Sequence, residues 1–202
     1  MSGLLLVSCT EDPSMGGGVP FTVTPTETET EPPFQGTLDL DPSLSYTNHP
    51  SPSYILLENL AEASIDDAKA TLGRVLFYDQ NLSSNQTISC ASCHHQELAF
   101  GDNTIASTGV NGDTRRHSMR LFNVRFTAEP RFFWDERVGS LNEQVLDPIR
   151  DHTEMGFSAQ QGAPTFDDLL ERLNGLDYYQ RLFHSAYGAE TVTEEGIREG
   201  LA

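Results

Sequence analysis

Residues 89–95 read Ser-Cys-Ala-Ser-Cys-His-His, "SCASCHH", inside the longer run "NLSSNQTISCASCHHQELAFGD" of residues 81–102. Two cysteines three apart, with a histidine directly after the second, admit three readings. A structural zinc site needs two pairs of ligands, and the chain has only 3 cysteines, the third being the distant Cys9. A thioredoxin-like Cys-x-x-Cys wants a βαβ context, which the surrounding pattern does not offer. Cys-x-x-Cys-His is the attachment motif of c-type haem. Its spacing has a geometric cause: cysteines three apart sit on one helical turn, so both sulfurs reach the two vinyl groups along one porphyrin edge. The next residue then points its imidazole at the iron. All three residues meeting by chance in a chain of this length has odds of roughly one in a thousand at average usage. The reading is one covalently attached haem c, with Cys90 and Cys93 as thioether residues, His94 as the proximal iron ligand, and His95 facing outward.

Outward from that motif the pattern is helical. Ser64 with Asp67 reads as a capping box, followed by an apolar stripe of Ile65, Ala68, Leu72, Val75 and Leu76. Ser140 with Glu143 opens a second helix that Pro148 is expected to close. Thr165 with Asp168 opens a third, Asp177 to Ala186 forms a fourth ending near Gly188, and Thr193 with Glu194 and Glu195 opens a fifth. Between Asp102 and Asp135 no period of either kind is sustained, as expected where a chain wraps a cofactor rather than a hydrocarbon core. The predicted fold class is therefore mostly α: a cytochrome c-like haem domain with long loops over residues 53–202. The last predicted helix runs up to Ala202 without a terminator, so a parent reading frame is expected to continue.

The N-terminal quarter has another character. "LLLVSC" at residues 4–9 resembles the lipobox of bacterial lipoproteins, in which the cysteine, here Cys9, receives a lipid. Its apolar run is shorter than the roughly 7–15 residues of a working signal core, and no Lys or Arg precedes it. Residues 1–9 are therefore read as part of a signal and anchor whose start lies upstream. Residues 10–52, rich in Thr, Glu, Pro, Ser and Gly, bury too little apolar area to offset chain entropy and are expected to be a disordered acidic linker. Such an arrangement predicts a periplasmic or cell-envelope protein held to a membrane through Cys9.

The 202 residues carry a net charge of −18. All seven charges before residue 53 are acidic, and the remainder still holds 23 acidic against 12 basic residues, near −11. Such a surface repels phosphate backbones, which excludes nucleic acid as a partner, and it steers basic proteins inward. Eleven of the basic residues are Arg, seven of them between Arg115 and Arg150. They suit either cofactor propionates or ordinary pairing with the five acids of that stretch.

Beyond the haem motif, "LGRVLFYDQNLSSNQTISCASCHHQELAFGD", "RRHSMRLFNV", "RFFWDERVGSLNEQVLDPI" and "TEMGF" occur in that order. This succession resembles the N-terminal haem domain of bacterial di-haem cytochrome c peroxidases and of the related methylamine-utilisation-type enzymes. The resemblance implies a peroxidase reducing hydrogen peroxide to water. Its electrons would come from a small donor cytochrome or cupredoxin through a second haem domain beyond Ala202. It implies Glu154 as the acid on the open face of the peroxidatic haem and Trp134 as an electron relay between the two haems. It also implies calcium as a further ion and a homodimer as an assembly. "TIASTGVNGDTRRH" offers no histidine before His117, so His117 is the candidate for the resting sixth iron ligand; it stands where relatives often carry a calcium-site asparagine. Two alternatives stay open: a mono-haem electron carrier with Met119 or Met155 as second axial ligand, and a di-haem enzyme that oxidises a protein substrate.

Overall fold

Helix formation begins at Asp66, whose carboxylate accepts the backbone N–H groups of Ala68 and Lys69, both at 2.9 Å. That cap starts α1 (Asp67–Tyr78) in the computed structural model, which describes residues 44–47, 65–124 and 131–202. The expected Ser64 cap, the anchor at Cys9 and all of the linker except residues 44–47 lie outside the described residues. Asp67 does not close a capping box; its carboxylate accepts the Tyr46 N–H at 2.6 Å. Ile65, expected at the head of the apolar stripe, precedes the helix and is exposed, whereas Leu72 and Leu76 are fully buried.

The rest is mostly α, as predicted. Ser140 caps α2 (Leu141–Gln144), its hydroxyl accepting the Glu143 N–H at 3.2 Å. Pro148 does not end that helix but stands in the first turn of a new one, α3 (Asp147–Arg150), where a missing N–H costs nothing. Thr165 and Asp168 form the predicted capping box of α4 (Phe166–Asn174). Next come α5 (Asp177–Tyr187), ended by Gly188 at φ 72°, and α6 (Glu194–Leu201), capped by Thr193. The stretch read as long loop contains a two-stranded hairpin, β1 (Thr108–Gly109) against β2 (Gly112–Asp113), with Thr108 opposite Asp113.

The core forms where α1 crosses α6 and α5. Leu72, Leu76, Leu169, Leu173, Tyr179 and Ile197 are fully buried, and Ile149 of α3 closes it together with Leu82, Met155 and Phe157. Each such side chain contributes about 1.5–3 kcal/mol. At the α1–α6 crossing the two backbones touch: a Cβ on Gly73 would lie 1.8 Å from the Gly200 carbonyl oxygen.

Arg172 on α4 fastens the loop before the haem motif. Its guanidinium donates to the carbonyls of Asn81, Ser83 and Ser84 at 2.9, 2.7 and 3.1 Å and lies over the Phe157 ring. Arg172→Met strands three carbonyls together and should lower stability by about 2–3 kcal/mol. A urea midpoint unchanged from the wild type would refute this role.

Candidate active site

The motif folds as predicted, on one tight turn. Residues Cys90–Ser92 form a single 3-10 turn, with the His94 N–H donating to the Cys90 carbonyl at 2.9 Å and the Ser92 hydroxyl accepting the Ser89 N–H at 3.0 Å. Both thiols are free. Burial, then the neighbouring Cys93, pushes the Cys90 thiol up to about 12, and burial raises Cys93 too.

His94 is fixed from one side. Its Nδ1 lies 2.8 Å from the Phe100 carbonyl, which makes that nitrogen the donor and leaves Nε2 with the lone pair. Ala99 and Phe100 both adopt φ 57°, a left-handed bend that aims this carbonyl back at the ring. Phe77 of α1 packs alongside, its ring centroid 6.4 Å from His94 and 5.9 Å from Phe100. Burial lowers the His94 pKa against the pull of backbone acceptors at Phe100 and Met119. The neutral ring is the form that binds iron. His95, expected to face outward, is partly buried, and its backbone pairs with Gly101.

Glu154 is placed by its backbone. The Asp151 carboxylate accepts the N–H groups of Thr153 and Glu154 at 2.8 and 3.0 Å, and the Val110 N–H of the hairpin donates to the Glu154 carbonyl at 2.9 Å. A Cβ on Gly109 would fall 2.1 Å from the Thr153 carbonyl oxygen, so only glycine lets the hairpin come this close. The carboxyl is half-buried and lines a cavity of about 220 Å³ with Phe133, Arg137, Asp147, Arg150 and Asp151. Burial, then the Asp151 charge, raises its pKa against the opposing charge of Arg137. Glu154 is also close enough for its charge to act on both Cys90 and Cys93.

Trp134 and His117 form a second cluster, joined to the first. The Trp134 side chain is 59% exposed, and its Nε1 donates to the His117 carbonyl at 2.8 Å. His117 Nδ1 donates to the Thr104 carbonyl at 2.6 Å. The adjacent Ser118 shares a 2.7 Å hydrogen bond with Ser107, a buried serine that donates to Asp102 and lies near enough to Cys93 to oppose the rise that burial gives its thiol pKa. Burial pushes the Asp102 carboxyl up, but hydrogen bonds from Ser107, Thr104 and Asn103 outweigh it and bring the pKa to about 2. Trp134 is therefore linked to the surroundings of Cys93 through residues 117–118 and Ser107.

A family model described as "Di-haem cytochrome c peroxidase" matches residues 67–202. The chain belongs to this family. It is 30% identical over 135 residues to the methylamine utilization protein MauG of Methylophilus methylotrophus, covering 66% of this chain and 38% of that one. It is 32% identical over 123 residues to the cytochrome c551 peroxidase of Pseudomonas aeruginosa, covering 60% and 34%. A solved MauG-like protein associated with microbial copper homeostasis superposes at a TM-score of 0.60 with 27% identity, covering 82% of this chain and 45% of that one. The chain thus spans less than half the length of each.

Membership in the di-haem peroxidase family brings haem with it, and the residues present fit that group. Two free thiols share one turn, and the histidine after them is oriented through Nδ1 with Nε2 left as donor to a metal. Among the described residues no three His, Cys, Asp or Glu side chains gather into a separate metal site. Met155 is buried, its side chain 4% exposed within the hydrophobic core. The arginines pair with acids: Arg116 and Arg137 with Asp135, Arg131 with Glu136, Arg150 with Glu194. Sequence reasoning missed Asp151, Ser107, the Phe100 carbonyl and the hairpin. The hairpin alone carried a local signal, Gly112 directly after the Val110-Asn111 turn, at a φ of 112° that favours glycine.

Proposed function

We propose that this chain is the peroxide-reducing haem domain of a two-haem enzyme that converts hydrogen peroxide to water. The observation that carries the reading is Glu154: a half-buried carboxyl of raised pKa, clamped by its backbone, beside a cavity and within electrostatic reach of both motif thiols. Haem c attached through Cys90 and Cys93, with His94 as proximal ligand, would supply the iron that binds peroxide and gives it electrons. Glu154 takes the proton from the inner peroxide oxygen and delivers it to the outer one, so that the departing oxygen leaves as water. Trp134, linked to Cys93 through His117, Ser118 and Ser107, passes electrons inward from a second haem domain. His117 keeps Nε2 uncommitted by Nδ1 and is the candidate sixth ligand of the resting iron.

The acidic surface suits a basic donor, a small cytochrome or a cupredoxin. Covalent haem attachment belongs outside the cytosol, in accord with an envelope protein tethered through a lipid on Cys9 and the acidic linker. None of the described helices is long and apolar enough to cross a membrane.

Covalent attachment is tested directly. Protein matured in an exporting host and heated in denaturant should keep its porphyrin on the chain, seen by haem staining of the separated polypeptide. A colourless chain, or porphyrin that extracts freely, would refute the reading.

A further inference from the structure

Asp79, the residue that ends α1, receives two phenols on one oxygen. Tyr178 and Tyr179, in the first turn of α5, donate their hydroxyls to Asp79 Oδ2 at 2.6 and 2.8 Å. Their ring centroids are 4.7 Å apart and the planes tilted by 36°. Tyr179 is fully buried and Tyr178 half-buried. The other carboxylate oxygen accepts the Asn81 backbone and side-chain N–H groups at 2.8 and 2.9 Å, and the same side chain donates to the Tyr178 hydroxyl at 3.0 Å. Phenylalanines would fill this space without desolvating a carboxylate and two hydroxyls, so packing alone does not account for the arrangement.

Its position supplies the reason. The Cys90–Ser92 turn packs on α1, and Tyr179 is close enough to Cys90 for their charges to interact. A buried phenol gives up an electron readily only if its proton leaves in the same event, because the cationic radical is not solvated there. Burial raises both phenols above their ordinary range, so neither ionises beforehand. Both face a carboxylate at hydrogen-bonding distance.

We propose that Tyr179, with Asp79 as its proton acceptor and Tyr178 stacked beside it, is a redox site that gives one electron to an oxidised haem held at Cys90 and Cys93. This inference rests on the haem reading proposed above. One electron passes from the Tyr179 phenol to the haem centre that peroxide has oxidised. The phenolic O–H breaks, and a new O–H forms on Asp79 Oδ2. A neutral tyrosyl radical is left beside a neutral carboxyl, and peroxide is the only oxidant consumed. The site stores an oxidising equivalent inside the chain when no donor electron arrives.

The test is electron paramagnetic resonance on the haem-loaded protein, frozen after an equimolar addition of hydrogen peroxide without donor. A radical signal is expected whose hyperfine splitting narrows when the tyrosines carry ring deuterium. Tyr179→Phe should lose it with the haem absorption spectrum unchanged. Asp79→Asn, which keeps both rings but cannot take the proton, should lose it as well. Tyr178→Phe, which leaves the Tyr179–Asp79 bond in place, should retain it. A signal that survives Tyr179→Phe, or one indifferent to deuteration, as a radical on Trp134 would be, overturns the assignment. Full haem absorption without any tyrosyl signal overturns the inference and leaves the haem reading standing. A colourless wild-type protein overturns the haem reading and this inference together.

Discussion

Glu154→Gln should leave haem incorporation intact and reduce peroxide turnover by roughly a hundredfold to ten-thousandfold, the usual worth of a positioned general acid–base. The backbone at this position is held by the Asp151 carboxylate and the Val110 N–H, neither of which depends on the side chain. Glutamine keeps the size and cannot shuttle a proton. The pH profile gives a second readout. Burial and the Asp151 charge raise the Glu154 pKa, so the carboxylate is lost, and the rate falls, as pH drops through a value above the ordinary carboxylate range. That limb should vanish in Glu154→Gln. It should move to lower pH in Asp151→Asn, which removes the raising charge while its amide oxygen can still accept the two N–H groups. Undiminished turnover in Glu154→Gln would remove Glu154 from the reaction.

The readings that succeeded were local. Cys90, Cys93 and His94 share one turn because their spacing is that of a turn, and no distant residue is needed to place them. Thr165 and Asp168 satisfy each other across three residues, and Gly188 ends α5 in the conformation glycine adopts without strain. Failures came where a tertiary partner or a near-equal local choice decided. Asp66 caps α1, while the Asp67 carboxylate is taken by Tyr46, 21 residues upstream. Pro148 can either stop a helix or open one, and only the packing of Ile149 into the core selects the second. Spacing from His94 likewise says nothing about which way Glu154 and Met155 face. Both residues lie in the turn that follows Asp151, where Glu154 lines the cavity and Met155 packs into the core. The Asp79 site joins residues about a hundred positions apart and leaves no periodic trace.

Gly73→Ala should be among the most damaging single substitutions in the chain. The new Cβ would lie 1.8 Å from the Gly200 carbonyl oxygen and 2.8 Å from its carbon, and a backbone cannot rotate away as a side chain can. Relief requires α1 and α6 to separate, which opens the packing of Leu72, Leu76 and Ile197. Overpacking of this kind costs about 3 kcal/mol or more where the obstacle is rigid, and helix propensity returns at most about 1 kcal/mol. The consequence reaches the site, since α1 carries Phe77 against His94 and Asp79 against the tyrosine pair. Gly200→Ala is the control. The atoms nearest its Cβ would be those of the Leu72 and Leu76 side chains, at 3.3 and 3.4 Å, which can shift by a few tenths of an ångström. The gain in propensity then offsets the crowding, and the net change should stay within about 1 kcal/mol. Chemical denaturation of the two variants measures the asymmetry. Equal loss in both would mean that the helices cross with slack, and that the contact between Gly73 and Gly200 does not set how α1 presents its residues to the Cys90–Ser92 turn.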